Sequence, residues 1–183
     1  MATPVGVAVV ALAVALTAAA AQFTTPLPFT AVPFTLTPLA VLLTGAALGS
    51  RLGALSQALY LAAGVLGFAV FSPSATLPPG GLRLLGPTGG YLLAYPLAAF
   101  VTGRLAERGW DRHYATSLAA MLAGLAIIYL GGVSWLTAAF QTSLTAAVAA
   151  GLAPFVLLDV AKAAVAAWVL PRTWRLLGRR GGD

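Results

Sequence analysis

The sequence predicts an all-α, polytopic membrane protein with six transmembrane helices in a single integral membrane domain. Three observations carry this expectation. First, 60% of the 183 residues are apolar and 8% are charged, against roughly 45–50% and 25% in soluble domains. Second, the charges fall at intervals that match spans of roughly 20 apolar residues, and about six such spans fit the length. Third, the basic residues are strongly one-sided. A disordered chain would be poor in apolar residues and rich in charge, and is excluded.

Helix 1 is expected over about 5–22, a stretch of Ala, Val, Leu and Thr with Gly6 and Gln22 near its ends. It lacks the positively charged leader of a cleaved signal peptide and is read as part of the mature chain, although AAAAQ offers small residues to a peptidase. Ala11, Ala15 and Ala19 form a ridge of small residues that lets another helix approach closely, a pattern that also arises by chance in an Ala-rich chain. Residues 23–35, FTTPLPFTAVPFT, hold three prolines and form the first outer loop. Helices 2 and 3 are expected over 36–50 and 52–71, with Arg51 at their junction.

The second outer connection, residues 72–88, reads SPSATLPPGGLRLLGPT, the strongest loop signal in the chain. Helix 4 follows over 89–107, then the charge cluster RLAERGWDRH, then helix 5 over 114–131. Residues 132–154 carry no charge and are expected to form an outer connection, with a short amphipathic helix around 137–150 lying along the membrane surface. Helix 6 is expected over 155–172.

An even number of spans places both termini with the 2–3 and 4–5 connections. That side collects Arg51, Arg104, Arg108, Arg112, Arg172, Arg175, Arg179 and Arg180, while Arg83 stands alone on the other and Lys162 falls inside helix 6. The bias predicts cytoplasmic termini and a cell-membrane location. The net charge of +6 is therefore a topology signal. The basic residues are dispersed and not interleaved with aromatics, which argues against nucleic-acid binding.

The absence of cysteine excludes disulfides and thiolate chemistry, and one His with four acids leaves too few ligands for an ordinary metal cluster. No nucleotide-binding motif, cofactor motif or acid–base constellation is found. The single histidine, His113, sits in the 4–5 connection, where Glu107 and Asp111 read as a solvated charge network.

Asp159 and Lys162 are the two ionisable residues deep in apolar sequence, in PFVLLDVAKAAVAAW. Each costs roughly 2.5–3.5 kcal/mol at a helix centre, so each demands an explanation. Their i, i+3 spacing puts them on one helical face. They are either a structural ion pair or a polar binding face suited to a ligand group with both N–H and C=O, such as an amide or urea. Arg83 is either solvated or a carboxylate clamp. The glycines of GPTGGY allow backbone N–H groups to face an anion at the start of helix 4, but the Lys-Ser/Thr end of a P-loop is missing. Tyr91, Tyr95, Trp135 and Phe155 lie near outer span ends, where aromatic belts form.

PLPFTAVPFTL, from Pro26 to Leu36, resembles the first outer loop of the BioY family, the biotin-binding S components of energy-coupling-factor transporters. QALYLAAGVLGFAVFS followed by GPTGGYLLAYPLAAF, and Asp159-Val160-Ala161-Lys162, resemble other collinear elements of that family. The resemblance runs from Ala15 to Leu170. It implies a six-helix S-component fold and a biotin pocket near the outer face, covered by outer loops. By the same resemblance, Asp159 and Lys162 meet the ureido ring, Arg83 meets the carboxylate, and Gly89, Gly90 and Tyr91 line the pocket. It also implies a coupling membrane protein with ATP-binding subunits as partners, docking at Ala11 and Ala15. Thr35-Leu36-Thr37-Pro38 departs from the family's usual T-L-Q-T and lacks its Gln. A stand-alone proton-coupled carboxylate transporter titrating Asp159 is the alternative, and a membrane enzyme a third reading.

Overall fold

The computed structural model describes residues 4–74 and 76–176. Arg179 and Arg180, used in the topology argument, lie outside them, as does the side chain of Arg175. Among the described residues the order is α1 (Pro4–Gln22), β1 (Thr24–Thr25), β2 (Phe34–Thr35), α2 (Thr37–Val65), α3 (Leu82–Leu85), α4 (Gly89–Glu107), a 3-10 turn (Trp110–Arg112), α5 (Tyr114–Phe140), α6 (Leu144–Gly151) and α7 (Val156–Leu176). α4 is central, packing most extensively on α2 and then α5, while α1 lies against α2 and α7 against α5.

α2 is not one rod. Gly49, at φ 81° and ψ 177°, breaks it into limbs over 37–48 and 50–65. The limbs fold back on each other, since the Gln57 amide donates to the Thr44 hydroxyl at 2.9 Å across a separation of 13 residues. A straight helix of that length would put them about 20 Å apart. Helices 2 and 3 thus exist as a hairpin with almost no loop, turning at Gly49 and not at Arg51.

The turn depends on backbone proximity to α4. A Cβ at Gly103 would lie 2.5 Å from Gly49 C and Ser50 N, and one at Gly45 would lie 2.5 Å from the Ala99 carbonyl. Small residues let helices approach this closely where lipid supplies no hydrophobic drive between them. Glu107 closes the turn. Its Oε1 accepts from Ser50 N at 2.7 Å and Ser50 Oγ at 2.8 Å, while Oε2 takes Arg104 Nη1 at 3.1 Å. Glu107 therefore caps the second limb from another helix, correcting its reading as part of a solvated charge network. Deeper in, Gln57 also donates to Thr17 of α1 at 3.1 Å, so one fully buried amide joins three helical segments.

Two helix ends differ from expectation. The second limb stops at Val65, not 71, because Gly67 at φ 97° lets Phe68 N reach Ala63 O and Gly67 N reach Gly64 O, a Schellman closure. α5 runs to Phe140, not 131, because Gly131 and Gly132 are used for packing and do not stop the helix. Side chains there would meet Ala94 and the Tyr91 ring. α5 ends at Gln141 in the left-handed region, and Ser143 then caps α6 by accepting from Ala146 N at 3.2 Å. The surface helix expected at 137–150 is thus Leu144–Gly151.

Among the described residues α1 and α5 are each long and apolar enough to cross a membrane, α2 is so only with its two limbs taken together, and α6 with α7, bent by 51°, makes a further candidate. α4 is not among them, since Tyr, Gly, Pro96 and Arg104 dilute its apolar residues. This is a multi-pass helical protein of the cell membrane.

Gly49→Ala is expected to destabilise the protein by about 1–3 kcal/mol, because a Cβ is strained at this positive φ. Glu107→Ala, which removes the cap and an exposed pair with Arg104, is expected to cost about 1 kcal/mol. Thermal unfolding in detergent reads both.

Candidate functional site

A cavity opens between the helices, with α2, α4, α5 and α7 as walls and the 23–35 and 72–88 connections over it. Its polar groups come from separate elements: Asp159 of α7, Tyr129 of α5, Tyr91 and Tyr95 of α4, Tyr60 and Thr37 of α2, Arg83 of α3, and Thr35, Ser72 and Thr88 of the connecting segments. Val32, Phe71, Leu92, Ile128 and Phe155 make much of the rest apolar. A small number of oriented polar groups in an apolar enclosure is the composition of a small-molecule site.

Asp159 is 7% exposed, and each of its two oxygens has a donor. Its Oδ1 accepts from Lys162 Nζ at 2.7 Å and its Oδ2 accepts from Tyr129 OH at 2.6 Å. A buried carboxylate without such partners would carry a heavy desolvation cost. Lys162 has turned away from the cavity. Its ammonium also donates to the Thr35 carbonyl at 3.0 Å and sits 3.7 Å from the centroid of the Phe34 ring. It lines an apolar groove between α2 and α7 instead. The pair expected to present two faces to one ligand thus presents the carboxylate to the cavity and the ammonium to the first outer loop.

That loop is a small hairpin. β1 pairs antiparallel with β2, Thr24 opposite Thr35 and Thr25 opposite Phe34, and Val32 to Thr35 roof the cavity. Besides Lys162, Thr30 anchors it, donating to the Ala150 carbonyl of α6 at 2.8 Å. Thr37 and Pro38, where the sequence departs from the family pattern, both line the cavity. Pro38 sits in the first turn of α2, where a missing N–H breaks no helical bond.

Arg83 is 9% exposed. Its Nε donates to the Pro78 carbonyl at 3.1 Å, and among the described residues no acid pairs with it. Burial pushes its pKa below the ordinary arginine value, although such a group remains charged. It stands where this cavity meets two clefts under the second loop. An unpaired buried guanidinium at that junction is a ready anion clamp.

The three residues expected from the GPTGGY run separate. Tyr91 lines the cavity and donates to the Gly151 carbonyl at 2.7 Å. Gly89 and Gly90 do not line it. Their missing side chains make room for Trp135 of α5, whose indole donates to the Gly86 carbonyl at 3.0 Å. Gly90 brings α4 and α5 together, and Gly89 lets the Leu84 carbonyl of the preceding loop lie against α4. Tyr95 and Phe155, read as belt aromatics, also reach the cavity. Tyr60 and Tyr129 were missed. The available signal was a tyrosine in mid-span, whose hydroxyl needs a partner in an apolar bundle.

The family model described as the BioY family matches residues 2–179. The chain belongs to the BioY family. Among its relatives are "Biotin transporter BioY" of Thermotoga maritima, 40% identical over 150 residues covering 82% of this chain and 85% of the relative. "Probable biotin transporter BioY" of Pyrococcus horikoshii is 42% identical over 166 residues, 91% of this chain and 94% of that one. Among solved structures, the crystal structure of the S-component for biotin from an ECF-type ABC transporter superposes with a TM-score of 0.82 at 24% identity, covering 97% of this chain and 92% of that one. The fold of this family member is therefore the S-component fold, as the resemblance implied.

Because Asp159 and Lys162 balance one another, breaking the pair should harm more than removing it. Lys162→Met is expected to destabilise by about 3–5 kcal/mol, and the double variant Asp159→Asn/Lys162→Met by clearly less. Unfolding of both in detergent, without ligand, measures the difference.

Proposed function

We propose that this chain is a biotin-uptake component that captures the vitamin from outside and releases it inward with an ATP-driven coupling module. The observation that carries the reading is one largely apolar cavity lined by a buried carboxylate, Asp159, and a buried guanidinium without an acidic partner, Arg83. Biotin offers the complementary set: ureido N–H donors, an apolar thiolane and chain, and a terminal carboxylate. In this reading Asp159 accepts from the ureido ring and Arg83 receives the carboxylate. Tyr91 walls the pocket, and Lys162 acts from behind Asp159 by holding its charge. Family membership and the names of the relatives support the substrate.

The topology belongs to the same proposal. The two limbs of α2 serve as the second and third of six spans, and both termini face the cytoplasm. The described chain leaves Ala11 and Ala15 exposed on α1, whose opposite face carries the buried Val10, Ala13 and Thr17. That open small-residue face suits docking by a membrane coupling protein, which would bring the ATP-binding subunits. The role is transport and not catalysis. The proton-coupled alternative is disfavoured by the family to which the chain belongs and by the biotin-transporter names of its relatives.

Detergent-purified protein is expected to bind biotin without ATP and to ignore lipoate and thiamine in calorimetric titration. Asp159→Asn should weaken binding at least tenfold. Arg83→Ala should weaken biotin similarly but leave biotin amide unaffected. Equal affinity of wild type and Arg83→Ala for biotin would remove Arg83 from the site.

A further inference from the structure

We infer that Tyr129 is a positioning residue for Asp159, setting the direction in which the carboxylate presents its free lone pairs to the ligand. The inference rests on the biotin-binding reading of the cavity and adds a residue to it. A carboxylate has about four acceptor sites on two oxygens and can turn about its Cβ–Cγ bond. Lys162 lies three residues on along the same helix and takes one site on Oδ1. That single partner fixes a charge but leaves the plane of the group free to turn. Tyr129 comes from α5, thirty residues away in sequence, and takes one site on Oδ2 at 2.6 Å. Two donors from two helices define the plane. One acceptor site on each oxygen is left, enough for ureido N–H groups approaching from the cavity.

The surroundings support this role. Tyr129 is 7% exposed, and the Asp159 carboxylate is the one hydrogen-bond partner found for its hydroxyl among the described residues. A buried phenol with a single charged acceptor makes a short, strong bond. Close packing keeps it in place: Ile128 and Leu125 of the same helix are almost wholly buried. Both Tyr129 and Asp159 line the cavity, so a change in carboxylate orientation is felt where a ligand would sit.

The experiment has two arms. In the ligand-free arm, infrared difference spectra follow the Asp159 carboxylate stretching bands, assigned by their loss in Asp159→Asn. Tyr129→Phe should shift these bands. Wild-type protein labelled with ring-fluorinated tyrosine, a stronger donor, should shift them the other way, a measurement that needs no folded variant. Unmoved bands in both samples overturn the inference. In the binding arm, Tyr129→Phe should raise the biotin Kd about tenfold, the scale of one charged hydrogen bond. It should change the Kd of ureido-N-methylated biotin less than twofold, since that ligand lacks the donors Asp159 accepts. Equal losses for both ligands would make Tyr129 a general wall or a direct contact, and no loss for either would make its hydroxyl irrelevant; both overturn the inference. If wild type binds no biotin, the substrate reading falls, and the infrared bands still decide whether Tyr129 holds Asp159.

Discussion

A carboxylate inside an apolar bundle must be matched on every side, and much of this structure follows from how Asp159 is matched. One oxygen takes the ammonium of its own helix and the other takes a phenol from α5. Meeting that need joins α5 to α7 at the depth where the cavity lies. It also commits Lys162, whose other contacts are the Thr35 carbonyl and the Phe34 ring. The charge at the cavity wall and the roof over the cavity are thereby linked through one side chain.

The other walls are set by close approach of backbones. Gly45, Gly49 and Gly103 let the hairpin of α2 lie against α4 with almost no separation. Gly90 and Gly131 do the same between α4 and α5. Larger residues such as Tyr60, Tyr91 and Phe155 surround the cavity between these helices. Tyr60 meets Phe71 edge-on at 5.4 Å between ring centroids, so the aromatic wall is itself packed and not free to collapse into the cavity.

The parts of the site that could be read from the chain were its rarities. Asp159, Lys162 and Arg83 stand out because charges are scarce in apolar sequence and each needs a physical reason. Direction was not legible: i, i+3 spacing says that Asp159 and Lys162 share a face, yet the flexible lysine stem reaches over to the first loop. Gly89 and Gly90 were ambiguous for a related reason. A missing side chain serves ligand approach and helix approach alike, and only the position of Trp135 decides between them. Tyr129 looked like any apolar-span aromatic until its hydroxyl had a partner.

Composition and charge placement by themselves determined that the chain is a helical membrane protein, where most helices begin, and which few polar groups require explanation. Those properties are local or additive: hydrophobicity sums along a segment, and proline and glycine act on their own neighbourhoods. The tertiary structure decided that Thr37–Val65 folds as a hairpin, that Glu107 caps a helix other than its own, and that α5 runs past two glycines. It also decided that Asp159 faces the cavity while Lys162 holds the roof. Each of these depends on what a distant segment places opposite a residue, and neither periodicity nor composition carries that information.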